Sequence, residues 1–119
     1  MITFVGIKPE KFIKKTGNPG KPLIEFVAAA YDYDFLEVES IDDIPKDKPM
    51  IMFSDHGKDS IFEFDFPEDA YYVFGPDWDD VNIRGYNSVR IPVANDRFRA
   101  MFASQAASIV AWEAFKRKS

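Results

Sequence analysis

The sequence predicts an α/β domain built on a parallel sheet, and three observations carry that expectation. The stretch from Ile2 to Val38 reads strand, loop, helix, strand, whose default is a right-handed parallel crossover. The apolar run Tyr71-Tyr72-Val73-Phe74 stops abruptly at Gly75-Pro76, as a buried strand does when it enters a tight turn. Near the C-terminus, Phe98, Met101, Phe102, Ala106, Ile109, Val110 and Phe115 follow the i, i+3, i+4 spacing of a long amphipathic helix.

Taken in order, Ile2 to Ile7 is rich in β-branched and aromatic residues and reads as the first strand. Lys8 to Gly20 holds Pro9, Gly17, Pro19 and Gly20 and reads as loop. Pro22 suits a first helical turn, and Leu23, Phe26, Val27, Ala30 and Tyr31 continue a helical stripe to about Tyr33. Phe35 to Glu39 is a second strand. Ser40 to Lys48 is a charged loop with room for one helical turn, and Pro49 to Phe53 is a third strand. Ser54-Asp55-His56-Gly57 is a turn. Ser60 to Phe66 alternates apolar and acidic residues, which puts Phe62, Phe64 and Phe66 on one face of a half-buried or edge strand, or of an extended segment packed on the sheet. Val89 to Val93 is a further strand whose Pro92 marks its exit. Lys116-Arg117-Lys118 closes the last helix with cations that suit a helix C-terminus.

The 119 residues are enough for one domain with a core of its own, with no repeat or linker. At 46% hydrophobic residues and twelve phenylalanines, disorder is excluded as the general state. The sequence holds no apolar run long enough for a membrane span, and Met1 to Gly6 lacks the basic start and cleavage site of a signal peptide. With no cysteine there is neither a disulfide framework nor thiolate chemistry, and the expected location is the cytoplasm. The net charge of −5 and pI of about 4.8 argue against binding nucleic acid by charge alone. Basic residues gather at Lys8 to Lys21 and again from Arg84 to Lys118, which reads either as a solvated mixed surface or as a basic face on an acidic protein.

Few residues carry chemistry by themselves. His56 is the single histidine, and with Asp55 and Asp59 it reads as a surface turn, so no metal site is expected. The serines have no histidine partner for a triad, and neither GxGxxG nor a P-loop is present. Asp77-Trp78-Asp79-Asp80 reads as a solvated turn anchored by tryptophan or as a protein-contact surface.

The literal wording of the last third says more. Phe-Gly-Pro-Asp at 74–77, Arg-Ile-Pro-Val at 90–93, and the helix from Ala100 to Arg117 resemble the end of a SPOUT-class RNA methyltransferase, in particular the TrmH/TrmL-like branch that methylates ribose 2′-hydroxyls in tRNA or rRNA. More weakly, Gly17-Asn18-Pro19-Gly20 resembles that branch's loop before the first helix. The resemblance implies a SPOUT-like α/β fold over residues 1–119, with a parallel sheet and a C-terminal trefoil knot. It implies a pocket for S-adenosylmethionine made largely of backbone, in which Gly75 lets the chain approach the ligand, Ile91 gives backbone contacts, and Phe53 and Met101 pack on the adenosine. It also implies a homodimer through the C-terminal helix and the first one, with Trp112 or Phe115 near the interface, and tRNA as a partner.

The catalytic positions depart from the pattern. Ribose methylation needs a base or polarising cation near the 2′-hydroxyl and donors for the phosphate. The family's acid is retained only as the shorter Asp77. Its arginine falls at Ile24 or Glu25, its serine at Ala100 or, with a one-residue gap, Arg99, and Phe102 stands where its asparagine opens the last helix. Arg97 or Arg99 is the cation left to substitute, which makes Asp77 and Arg99 the catalytic candidates. The expectation is a diverged homologue that keeps the cofactor pocket with catalysis weakened or lost, a pseudoenzyme. The alternatives are an active tRNA ribose methyltransferase and a non-catalytic dimeric module that binds RNA or a protein partner.

Overall fold

The computed structural model describes residues 1–7, 21–55, 57–74, 87–95 and 103–118. In chain order the elements are β1 (Thr3–Ile7), α1 (Lys21–Ala30), β2 (Asp34–Val38), β3 (Met50–Phe53), β4 (Asp59–Ser60), β5 (Tyr71–Phe74), β6 (Asn87–Arg90) and α2 (Ala103–Lys118). Among the described residues the six strands form one sheet in the order β2-β1-β5-β3-β6-β4, and every pairing is parallel. The parallel crossover expected for Ile2 to Val38 is present as β1-α1-β2.

A parallel sheet covered on both faces should read as continuous apolar runs, and β1 and β5 are buried throughout. Phe4, Tyr72, Phe74, Ile51, Phe53 and Val89 belong to the core that also holds Ile24 and Ala28 of α1 and Ala103, Ala107, Val110, Ala111 and Ala114 of α2. Val5, Ile7, Val38, Met52, Tyr71 and Val73 form a second core on the opposite face with Ile44, which follows a short 3-10 turn at Ile41–Asp43. The α2 stripe is mostly alanine, so this helix lies close to the sheet while the phenylalanine rings supply the bulk. Phe4 and Phe74 have ring centroids 5.1 Å apart, and Phe53 and Phe74 5.2 Å.

The sequence expectation carried α1 to Tyr33, but it stops at Ala30. The Tyr33 amide donates to the Ala28 carbonyl at 2.8 Å and the Asp32 amide to the Ala29 carbonyl at 3.1 Å, with Asp32 in the left-handed region at φ 59°. This is a Schellman stop, with aspartate where glycine is more usual. The second strand is accordingly Asp34–Val38, one residue earlier than expected.

The largest correction concerns Ser60 to Phe66. Only Asp59–Ser60 pairs, as an edge strand on β6. The Ser60 hydroxyl then accepts from the Phe62 amide at 3.2 Å and caps a 3-10 turn over Ile61–Glu63. The turn breaks the two-residue period, so Phe62 is 79% exposed while Phe66 is buried. Phe64 and Phe66 do pack on the sheet, against Phe53, Tyr72 and each other. Phe66 holds a positive φ of 52°, and the Arg117 guanidinium sits 4.6 Å above its ring. The last strand ends at Arg90, before Ile91-Pro92 rather than after. The expected knot depends on residues 75–86 and 96–102, which lie outside the described residues, as does the part of the last helix expected from Phe98 to Phe102.

Candidate functional site

Open parallel sheets bind ligands beyond the carboxyl ends of their strands. Here the register sets Phe53 level with Phe74 on one side and with Val89 on the other, so β5, β3 and β6 end side by side. Phe53 is buried, its ring stacked on Phe74 and edge-on to Phe64 at 5.6 Å. It therefore offers a ligand its backbone and ring edge rather than an open aromatic face. Ile91 follows β6, half-buried against the same core. Phe53 and Ile91 thus share this edge. Gly75, Asp77, Arg99 and Met101 lie outside the described residues, as does His56.

The wall of this edge is the turn after β3, and it is fastened to β6 at several points. The Ser54 amide donates to the Val89 carbonyl at 3.0 Å, and the Gly57 amide to the Ser54 carbonyl at 3.0 Å. The Lys58 amide donates to the hydroxyl of Ser88, which is buried, at 2.9 Å. Arg90 donates through Nη1 to the Gly57 carbonyl at 3.2 Å and to the Lys58 carbonyl at 2.9 Å. Gly57 lies so close that a Cβ there would stand 2.3 Å from the Val89 carbonyl carbon and 2.5 Å from the Arg90 nitrogen. Sequence reasoning named Gly57 as part of a turn and Arg90 as part of Arg-Ile-Pro-Val, but spacing gave no sign that they meet.

Of the two positions at which the family arginine would fall, Ile24 is buried in the α1 core and Glu25 is exposed and acidic. In the last helix, Ser104 and Glu113 make local contacts. The Ser104 carbonyl accepts from the Ser108 hydroxyl at 3.0 Å, and Glu113 pairs with Lys116 at 3.2 Å.

Elsewhere a cavity of about 380 Å³ opens near β4 and β6, walled by Ile51, Phe64 and Val89 and carrying Asp59, Glu63 and Asp65. Its carboxylates repel phosphate. Among the described residues no group of histidine, cysteine or carboxylate side chains is placed to hold a metal ion. The perturbed tyrosines have structural causes. Burial raises the Tyr72 phenol above the ordinary tyrosine range, helped by Tyr33 and Asp65, and its hydroxyl donates to the Pro67 carbonyl at 2.7 Å. Tyr71 is raised chiefly by its hydrogen bond to the Asp47 carboxylate at 2.8 Å.

The two helices also present an apolar outer surface. Leu23 and Phe26 of α1 are 56% and 72% exposed, and Trp112 and Phe115 of α2 are 48% and 45% exposed. Tyr31 joins the two sides, with its ring 5.4 Å from that of Phe115. No helix among the described residues is long and apolar enough to cross a membrane.

Solved structures share this architecture. A protein described for the 2-OH methylation of C/U34 on tRNA matches with a TM-score of 0.74 and 19% identity, over 99% of this chain and 96% of its own. An RNA 2′-O ribose methyltransferase matches with a TM-score of 0.73 and 14% identity, over 98% of this chain and 56% of its own. The SpoU methyltransferase AviRb from Streptomyces viridochromogenes matches with a TM-score of 0.73 and 17% identity, over 99% of this chain and 60% of its own. The chain has a SPOUT-class methyltransferase-like fold. It spans nearly the whole of the first of these SPOUT-class neighbours and 60% or less of the other two. AviRb in complex with the cofactor AdoMet matches with a TM-score of 0.70. No protein-family model and no curated protein matches the sequence.

Proposed function

We propose that this protein binds S-adenosylmethionine at the carboxyl edge of β5, β3 and β6, and that it is a diverged relative of the RNA ribose methyltransferases with methyl transfer weakened or lost. The observation that carries this reading is the likeness over 99% of the chain to AviRb, a methyltransferase solved with AdoMet. The residues described at this edge suit an adenosine group. The half-buried Ile91 and the ring edge of Phe53 are apolar, and the strand ends bring backbone groups beside them. Gly75 and Met101 complete the proposed pocket. When bound, the cofactor would supply an electrophilic methyl group. Asp77 and Arg99 are the residues proposed to act on a ribose hydroxyl.

Weakened catalysis is supported by what stands where a cation is needed. A buried isoleucine and an exposed glutamate cannot polarise a ribose hydroxyl or hold a phosphate. The active alternative, tRNA ribose methylation, is favoured by the near full-length match to the protein described for C/U34 methylation. We also assign residues 1–119 to one domain that pairs as a homodimer through the α1–α2 surface, where Phe26 and Trp112 would be covered. Exposed apolar surface of this kind marks an interaction site.

Calorimetric titration with S-adenosylhomocysteine tests the reading. Micromolar binding supports the pocket, and a tRNA methylation assay with Asp77→Ala as control then separates an active enzyme from a pseudoenzyme. No binding at millimolar ligand refutes the cofactor reading and leaves a dimeric binding module.

A further inference from the structure

The Ser88 and Arg90 side chains and the backbone of Gly57 and Lys58 converge on a feature that the proposed chemistry has not used, the fastening of the turn after β3 to the end of β6. The turn leaves the sheet at Ser54 and returns beside Val89, one strand over. A short loop of this kind, tied only by its own Gly57-to-Ser54 hydrogen bond, would swing about the end of β3. Three further contacts prevent this. Ser88 receives the Lys58 amide, the Gly57 backbone lies against Val89 and Arg90 with no room for a side chain, and Arg90 spans the Gly57 and Lys58 carbonyls with a single guanidinium nitrogen. The two arginine contacts are charge-assisted and directional, and arginine holds its donors in a planar fork that lysine lacks. Both carbonyls they engage belong to the turn and not to a strand, so the Arg90 side chain adds nothing to the sheet ladder, in which the Arg90 backbone pairs with Ser60.

We propose that Arg90 is a positioning residue, which with Ser88 locks the Ser54–Lys58 turn as a preformed wall of the cofactor pocket. The inference rests on the reading of this edge as the S-adenosylmethionine site. A wall set before binding avoids the cost of ordering it during binding, so the clamp should appear in ligand affinity more than in fold stability. Arg90 is itself exposed, and its removal leaves no buried charge.

The test is titration of S-adenosylhomocysteine into wild type, Arg90→Met, Arg90→Lys and Ser88→Ala, with melting temperature and hydrogen exchange of the Gly57 amide measured on each. Arg90→Met is expected to weaken binding by about ten-fold, because the ligand must then order the turn on binding. Its melting temperature should stay near that of wild type, and the Gly57 amide should exchange faster. Arg90→Lys should restore part of the affinity, since an ammonium reaches one carbonyl well and two poorly. Ser88→Ala should shift affinity and exchange in the same direction and provides the test should Arg90→Met fail to fold. Wild-type binding with unchanged affinity in Arg90→Met, or in Ser88→Ala if Arg90→Met does not fold, overturns the clamp and leaves the cofactor reading standing. Failure of wild type to bind overturns the cofactor reading and the inference with it.

Discussion

Replacing Gly57 with alanine asks whether the turn after β3 is built around a close backbone approach. The added Cβ would lie 2.3 Å from the Val89 carbonyl carbon, 2.5 Å from the Arg90 nitrogen and 2.7 Å from the Val89 oxygen. That is about 1 Å inside ordinary van der Waals contact, and the atoms it meets are backbone that cannot rotate away. Either the turn or the end of β6 must move, and the Arg90 and Ser88 contacts then stretch together. Overpacking of this kind costs roughly 1–3 kcal/mol, and rigid neighbours on both sides put this case near the upper figure. For a chain of this length such a loss lowers the melting temperature by about 10 °C. Gly6→Ala is the internal control. Its Cβ would meet the Phe35 ring at 3.5–3.6 Å and the Ile24 Cδ1 at 4.0 Å, all ordinary van der Waals contacts with side chains. In a buried strand that change should be neutral or should stabilise by up to about 0.5 kcal/mol, because it restricts the unfolded chain. Thermal melts followed by circular dichroism on both variants decide the matter. If Gly57→Ala melts within 2 °C of wild type, or if the two alanine variants shift equally, the close-approach argument is wrong.

Three further outcomes are expected. Asp32→Gly should stabilise the protein by about 0.5–1 kcal/mol in urea unfolding, because Asp32 caps α1 at a positive φ that glycine adopts without strain. Stability should fall as pH rises above the free tyrosine range near 10. Tyr72 stays protonated in the folded state while the unfolded chain ionises, so the unfolded state binds fewer protons and the slope is negative. The Tyr72 share reaches up to about 1 kcal/mol by pH 11, and Tyr72→Phe should flatten the decline in alkaline melts. Light scattering should give twice the 13.7 kDa chain mass for wild type and the single mass for Phe26→Asp, since Phe26 projects from the α1–α2 surface. A wild-type protein that scatters as a monomer removes the homodimer.

What was legible in the sequence follows from which forces act locally. The runs Ile2 to Ile7 and Tyr71 to Phe74 are apolar without alternation because both faces of the sheet are covered, and that pattern is visible in one dimension. The insertion of β5 between β1 and β3 is not, since nothing in either run specifies its neighbours. Alternation misled at Ser60 to Phe66 because the Ser60 cap started a 3-10 turn and rotated Phe62 out of the sheet's period. The apolar pattern that Tyr31 and Tyr33 continue predicts a later end for α1 than the structure has. The helix is in fact stopped by Asp32, whose side chain tolerates a left-handed conformation that its neighbours resist. For the site, Phe53 and Ile91 were named from the resemblance and lie at one sheet edge. Ser88, Gly57 and Arg90 meet only through the β3–β6 register, which no spacing in the sequence encodes.

The same distinction explains how a SPOUT-class fold can persist at 19% identity to a neighbour that it matches at a TM-score of 0.74. Parallel pairing constrains backbone and asks of most side chains only that they be apolar and of suitable size. In the described part of the edge, the contacts that shape the turn after β3 are also mostly backbone. Val89 and Ser54 contribute through main-chain groups, Gly57 through the absence of a side chain, and Arg90 by gripping carbonyls. A site assembled in this way can keep its shape while its catalytic side chains are lost, because shape and chemistry rest on different atoms. On the proposed reading, the buried Ile24 and the exposed, acidic Glu25 leave no cation at the two positions where the family arginine would fall. Binding and catalysis are therefore expected to separate experimentally in this protein. Affinity for the cofactor should follow Arg90, Ser88 and Gly57, whereas transfer, where any survives, should follow Asp77 and Arg99.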